Sequence, residues 1–263
     1  MKSSKDWDPE LYLKFGNERT QPAIDLVNRI HLDYQPKNII DIGCGPGNSG
    51  RILTARWPEA DFLGIDSSAT MIEKAKKDYP EQNWMIADAV QFESTTTYDI
   101  VFSNAVIQWI PDHANLLEKL SGLLSDKGAL ALQLPKFRDM PVGKAVGRVA
   151  ERNRWKKQTG HCAGLFTYHD YGFYYDLFSR KFPAVEMWET FYLHVLESRE
   201  AIIQWTESAA MRPYLDSLNT DAERAEFRRE VLDEIGDAYP VQNDGRIIFP
   251  FKRFFIIGYK RIK

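Results

Sequence analysis

The hydrophobic positions of this chain fall into two rhythms. Up to about Pro135, short apolar runs (NIIDI, DFLGID, NWMIAD, YDIVFSN, GALALQLP) alternate with SGRILTARW, SATMIEKAKKDY and HANLLEKLSGLL, whose apolar residues recur at helical spacing. The short runs are apolar at nearly every position, the signature of strands buried on both faces in a parallel sheet. Strand and helix alternating in this way predict a doubly wound, mostly parallel α/β sheet. Asp112 precedes the third helical segment as its predicted N-cap.

From about Lys136 the pattern becomes aromatic, basic and largely helical. RVAERNRWKKQ and YGFYYDLFSRKF read as helices and VEMWETFYLHVL as a strand. TDAERAEFRREVLDEI opens with a capping box, Thr220 and Glu223, and places Phe227, Val231, Leu232 and Ile235 on one packing face. KRFFIIGYKRI is a strand with no helix after it, predicted to return antiparallel to the main sheet. With no repeat and no low-complexity linker, the pattern predicts one domain over 1–263, its helical lid drawn from about 1–30, 136–180 and 197–250.

Composition narrows the partners. The 263 residues carry 34 basic and 37 acidic side chains, a formal net charge of −3, and no long basic run. Such a chain has no field to attract nucleic acid or an anionic membrane. MKSSKDWDPELYLKF has no apolar core of a signal peptide, and no stretch reaches the roughly 20 apolar residues of a membrane span. A cytoplasmic protein acting on a small molecule is expected, its oligomeric state left open. Cys44 and Cys162 are the two cysteines, too few for a disulfide framework. His161, Cys162 and His169 lie close in sequence but lack a further ligand pair at zinc spacing, so no metal is expected.

The candidate chemistry starts at NIIDIGCGPGNSG, Asn38 to Gly50. Gly43 and Gly45 begin a dinucleotide fingerprint, but Asn48 occupies its third glycine position and Gly47 makes the motif G-x-G-x-G. Amides leaving a strand and opening a helix hold anions. Here Pro46 removes one donor, and Asp41 adds a negative charge that repels a pyrophosphate and suits a ligand ammonium. Asp66 ends the second strand, where a carboxylate accepts from ribose hydroxyls, and Asp88 ends the third, where it accepts from an adenine amino group. An amino acid, a ribose and an adenine without phosphates describe S-adenosylmethionine.

With these motifs in place the chain resembles the class I S-adenosylmethionine-dependent methyltransferases. DWDPELYLKFGNERTQPA, DIGCGPGNS, GIDSSATMI, NAVIQWIPDH, AIIQWTESAAMRPYL and FPFKRFFIIG carry the likeness over nearly the whole chain. More narrowly it is similar to members that esterify a small polycarboxylic acid such as trans-aconitate. The resemblance implies a Rossmann-like fold with an antiparallel C-terminal strand. It puts Asp41, Gly43 and Gly45 around the methionine part, Asp66 and Ser67 at the ribose, and Asp88 with Ala89 at the adenine. Asn104 and Ala105 would flank the sulfonium, while Trp7, Tyr12, Asn17 and Arg19 would close over the cofactor. The likeness departs at Ala69, where related chains carry Pro at a helix start, and lapses over 137–164.

Acceptor chemistry points the same way. A carboxylate is an ionised nucleophile at neutral pH, so its methylation needs positioning and no general base. Gln108 and Trp109 follow the fourth strand, where positioning groups are expected. Arginine is the residue suited to bidentate carboxylate binding, which makes Arg212 and Arg253, with Tyr12 and His194, the substrate candidates. Two other readings stay open: another acceptor, either a carrier-protein-bound acyl group, for which ERNRWKK is the one basic docking stretch, or a natural-product hydroxyl; and a non-catalytic binder of S-adenosylmethionine.

Overall fold

The computed structural model describes Trp7, Glu10 and residues 16–261, with Asn17 and Glu18 described by their backbone alone. The expectations for Tyr12 and for the side chain of Asn17 lie outside the described residues. After helix α1 (Gly16–Arg29), the chain alternates β1 (Asn38–Ile42), α2 (Asn48–Arg56), β2 (Asp61–Asp66), α3 (Ala69–Asp78), β3 (Asn83–Ile86), β4 (Tyr98–Asn104), α4 (His113–Gly122) and β5 (Leu124–Pro135). Three of the five strands, β1, β2 and β4, have the bounds expected from the apolar runs. Asp112 caps α4 as expected, its Oδ1 accepting from the Asn115 N–H at 3.0 Å.

Seven strands form one sheet in the order β3-β2-β1-β4-β5-β7-β6, where β6 is Ala184–Leu196 and β7 is Ile247–Tyr259. Pairings from β3 through β5 are parallel. β7 runs antiparallel to β5: Lys260 N–H donates to Gly128 O and Lys136 N–H to Lys252 O, so one strand rises as the other falls. The strand order reverses between β1 and β4, the switch point outside whose carboxyl ends doubly wound sheets bind ligands.

The chain divides into two compact units. Of the described residues, the sheet unit comprises Trp7, Glu10, 16–134, 167–188 and 254–261. Its core includes Ile40, Ile65, Val101, Leu132, Phe254 and Ile256, and it also holds helix α7 (Tyr171–Ser179), which buries Tyr174 and Phe178. The helical unit comprises 135–166 and 189–253. It holds α5 (Pro141–Ala150), α6 (Asn153–Thr159), α8 (Arg199–Glu207), α9 (Arg212–Asp216) and α10 (Asp221–Ile235), together with residues 189–196 of β6 and 247–253 of β7. RVAERNRWKKQ, expected as one helix, is divided between α5 and α6, because Arg152 adopts an extended backbone at the N-cap of α6. The capping box of Thr220 and Glu223 forms as read. Phe227 of α10 then buries against Trp155 at 5.7 Å and Tyr214 at 6.2 Å between ring centroids.

Gly64 shows how tightly the sheet unit is packed. A Cβ built there would lie 2.4 Å from the Trp84 ring. Gly64→Ala must displace that indole, so equilibrium urea unfolding should show a loss of about 1–3 kcal/mol. An unchanged midpoint would mean that the ring moves aside freely.

Candidate active site

The turn after β1 is built by three residues with left-handed backbone, Gly43, Gly45 and Gly47, at φ of 71°, 55° and 95°. At Gly43 a Cβ would also lie 2.3 Å from the side chain of Val106, which belongs to the turn after β4. The two turns that flank the switch point are therefore in contact through a missing side chain. Hydrogen bonding decides what this loop can hold. Gly43 and Cys44 N–H groups donate to Ile65 O at 2.7 and 2.9 Å, Gly47 N–H to Cys44 O at 3.2 Å, and Gly45 N–H to Asp66 Oδ2 at 2.9 Å. Pro46 has no N–H. These four amides are engaged within the protein and are not offered to an anion.

What the crevice offers instead is a set of acceptors. Asp41 is fully buried in β1; its Oδ2 accepts from Ser49 Oγ, and its Oδ1 has no hydrogen-bond partner among the described residues. Burial, with a smaller contribution from the Asp66 charge, pushes its carboxyl up to about 7 despite the Ser49 bond. Asn104, at the end of β4, also has a buried Oδ1 without a partner among the described residues. Buried acceptors left unmatched are costly and need an explanation. A cleft lies here, lined by Arg19, Thr20, Gly43, Gly45, Ser49 and Asn104 among others. Arg19, only 6% exposed, brings a cation to the same cleft. Acceptors for an ammonium and a guanidinium for a carboxylate match the two ends of an amino acid.

The other strand ends are also arranged. Asp66 accepts from Gly45 N–H through Oδ2 and from Ser68 N–H through Oδ1 at 2.8 Å, next to solvent-exposed Ser67. Ser68, and not Asp66, caps α3, accepting from Met71 N–H at 3.2 Å. Asp88 is exposed next to half-buried Ala89, and its Oδ1 accepts from Val90 and Gln91 N–H groups at 2.7 and 3.2 Å, fixing the turn after β3. Trp7 is placed between two strand ends: its carbonyl accepts from Thr70 Oγ1 at 2.7 Å, and its ring meets Trp109 edge-on at 5.5 Å.

Beyond β4 the backbone is strained and propped. Ala105 has φ 61°, uncommon for a residue with a Cβ, and its N–H donates to Gln133 O at 2.9 Å. Gln108 Nε2 donates to Ala105 O at 2.7 Å, while its buried Oε1 has no partner among the described residues. His113 braces the turn. Nε2 bonds to Ile107 O at 2.7 Å, and Nδ1 bonds to the Tyr174 hydroxyl at 2.8 Å. Burial pushes His113 down from its ordinary value, so it is neutral, with Nε2–H donating and Nδ1 accepting. The bonding of this brace, like the Ser49 bond to Asp41, has no signature in sequence: Asp41, Ser49 and His113 lie in the quoted motifs, but the residue types do not show that these side chains pair across 61 and 8 residues.

The helical unit gathers two of the acceptor candidates. His194 packs among Tyr192, Trp205, Phe249 and Phe251, with ring centroids 4.7 to 6.4 Å away. Burial, then the Arg253 charge, pushes it down to about 4. Arg253 is 5% exposed, its guanidinium 4.3 Å over the Phe251 ring. Arg212 opens α9 and pairs with Asp216 at 3.3 Å. The basic stretch ERNRWKK is engaged by acids: Arg152 by Glu230 at 2.7 Å and by Glu234, Arg154 by Glu226 at 3.1 Å, and Lys156 by Glu151 at 2.8 Å.

Comparison with known proteins agrees with this geometry. Residues 15–179 match the family model described as a methyltransferase domain. Trans-aconitate 2-methyltransferase of Rhodopseudomonas palustris (strain BisB18) is 39% identical over 256 residues, 97% of this chain and 99% of the relative. That of Azoarcus sp. (strain BH72) is 37% identical over 254 residues, again 97% and 99%. Among solved structures, the YcgJ protein of Bacillus subtilis superposes with a TM-score of 0.57 at 13% identity, covering 94% of this chain and 100% of its own. The plantazolicin methyltransferase BpumL, crystallised with SAH, gives 0.54 at 17%, covering 95% and 88%. These two likenesses are of fold.

The raised Asp41 carboxyl has a measurable consequence. The folded chain keeps its proton up to about pH 7, whereas the unfolded chain releases it near the ordinary value of about 4. This contribution to stability is fully present below that ordinary value and is lost as pH rises toward 7. The slope approaches about 1.4 kcal/mol per pH unit. In urea unfolding at about pH 5 and pH 8, wild type should lose about 1–3 kcal/mol more than Asp41→Asn. Parallel pH dependence in the two proteins would mean that Asp41 is ionised throughout.

Proposed function

We propose, from the premise that the chain belongs to the family of trans-aconitate 2-methyltransferases, that it transfers a methyl group from S-adenosylmethionine to one carboxylate of trans-aconitate, forming the monomethyl ester and S-adenosylhomocysteine. The observation that carries the cofactor is the pair of unmatched buried acceptors, Asp41 Oδ1 and Asn104 Oδ1, at the switch point. The cofactor supplies an electrophilic methyl on a sulfonium. Asp41 and Asn104 receive its ammonium side, with Gly43 and Gly45 letting the backbone approach closely. Arg19 takes the amino-acid carboxylate, and Trp7 covers the bound molecule. Asp66 and Ser67 accept the ribose hydroxyls, and Asp88 with Ala89 borders the adenine. Ala105 shapes the wall beside the reacting centre.

A carboxylate acceptor arrives ionised, so the protein has to orient it and no base has to titrate. Gln108 and Trp109, held by the His113 brace, orient the reacting carboxylate. The Arg253 guanidinium and neutral His194 recognise a second one, and Arg212, already paired with Asp216, contributes less. The charge balance supports a small polycarboxylate as partner in the cytoplasm, with no nucleic acid and no membrane surface. Among the described residues no helix is long and apolar enough to cross a membrane. A carrier-protein acceptor has little support, because in the one basic docking stretch Arg152 and Arg154 pair with acids of α10 and Lys156 pairs with Glu151. Matched cofactor groups argue against a non-catalytic binder.

A methyl-transfer assay with labelled cofactor across small acids tests the reading. Trans-aconitate should yield a methyl ester, with no requirement for a group titrating near pH 7 in the turnover step. Arg253→Ala should raise KM for the acid by the equivalent of about 2–5 kcal/mol. Cofactor affinity should stay within a few-fold, and Arg253→Lys should recover part of the loss. Turnover of a neutral alcohol with no ester formed from any polycarboxylate would overturn the acceptor assignment.

A further inference from the structure

Asn48 stands where a dinucleotide fingerprint has its third glycine, and it is the first residue of α2. In that fingerprint the glycine lets the helix pack closely on the strands. Here Gly50 does so: a Cβ on it would lie 2.6 Å from the Trp84 ring and 2.8 Å from that of Phe62. Position 48 is thereby free to carry a side chain, and that side chain reaches α1. Asn48 Nδ2 donates to Thr20 Oγ1 at 3.1 Å, and Thr20 Oγ1 donates to Gly16 O at 2.5 Å. With its proton committed to Gly16 O, the Thr20 hydroxyl can only accept from Asn48.

The contact falls on a turn that lacks one of its own bonds. Pro22 lies inside α1 and has no N–H, so the bond that residue 22 would donate to Glu18 O is missing. The following turns are held by burial, through Ala23, Leu26 and Val27. The far end is held from α2, where the Arg56 guanidinium donates to Val27 O and, at 2.8 Å, to Ile30 O. α2 therefore grips α1 at both ends, Asn48 at the start and Arg56 at the finish, and the two helices run side by side in the same direction. Arg19 lies in the gripped first turn, between Gly16 and Thr20. Arg19, Thr20 and Asn48 all line the cleft after β1.

We propose that Asn48 is a positioning residue for the cofactor's carboxylate, setting through Thr20 the turn of α1 that carries Arg19; this rests on the reading of Arg19 as the group that takes that carboxylate. A guanidinium binds a carboxylate through a planar fork, so a small rotation of the turn beneath it loses one of two parallel bonds. The turn has one fewer backbone bond to resist such a rotation, and Asn48 supplies a replacement from the neighbouring helix. A glycine at position 48 would leave Thr20 without that donor.

Calorimetric titration of the full chain with two ligands tests it: S-adenosylhomocysteine, and methylthioadenosine, which keeps the adenine and ribose and lacks the amino acid. Asn48→Ala should weaken S-adenosylhomocysteine about three- to tenfold. It should bind methylthioadenosine as wild type does, which also shows that the variant folds. Thr20→Val should reproduce the loss, and Thr20→Ser, which keeps the hydroxyl, should recover most of it. In an Arg19→Ala background, itself weakened about 10- to 100-fold, Asn48→Ala should cost nothing more. A wild type that binds no S-adenosylhomocysteine overturns the cofactor reading itself. With wild-type binding intact, three results overturn the positioning role alone: no loss in Asn48→Ala, equal losses for the two ligands, or a loss that adds in full to that of Arg19→Ala.

Discussion

One carboxylate sets the terms for the sheet unit. Asp41 sits in β1, between β2 and β4, with no solvent to share its charge and a single hydroxyl, Ser49 Oγ, donating to it. A buried anion of this kind must be neutralised or met by a cation. The parallel sheet and its switch point bring the unmatched Asn104 oxygen and the Arg19 guanidinium to the same cleft. The fold therefore maintains an electrostatic deficit at the place where its topology leaves a crevice. A ligand ammonium would answer the unmatched acceptors, which a phosphate cannot do.

The glycine turn and the turn after β4 complete the constraint from either side. Gly43 has no Cβ, and Val106 occupies the space, so the first turn is locked against the second. Ala105 is held in a left-handed conformation by its bond to Gln133 O, and the cost of that strain is borne by the neighbouring β5 strand. His113 fixes Ile107 O, Tyr174 fixes His113, and Thr167 N–H holds Gln108 O at 2.8 Å. Gln108 and Trp109 are thus placed by residues from three separate segments, the condition for a positioning group that acts without proton transfer.

The sheet was legible in the sequence because each strand buried on both faces reads as a short apolar run, and three of them could be bounded to the residue. The strand-end carboxylates were legible for the same reason: Asp41, Asp66 and Asp88 interrupt or end such runs. Their hydrogen bonds were not. That Asp66 uses both oxygens to hold Gly45 and Ser68, and that the turn amides are already engaged, depends on backbone torsions that residue types do not reveal. The break between α5 and α6 was missed because nothing in RVAERNRWKKQ marks a helix end: the stretch holds neither Pro nor Gly, and the extended backbone of Arg152 is not a property of its residue type.

The helical unit makes a different electrostatic choice. His194 and Arg253 are both buried among aromatic rings, and burial, reinforced by the nearby guanidinium charge, keeps the imidazole neutral well below physiological pH. Two cations there would cost more than one, so the unit carries one fixed positive charge and one neutral donor. Arg253, lying over Phe251, is held with its planar fork in a set orientation, which limits the entropy lost when a carboxylate binds. Arg212 is the contrasting case, since its partner Asp216 must be displaced before it can serve a ligand.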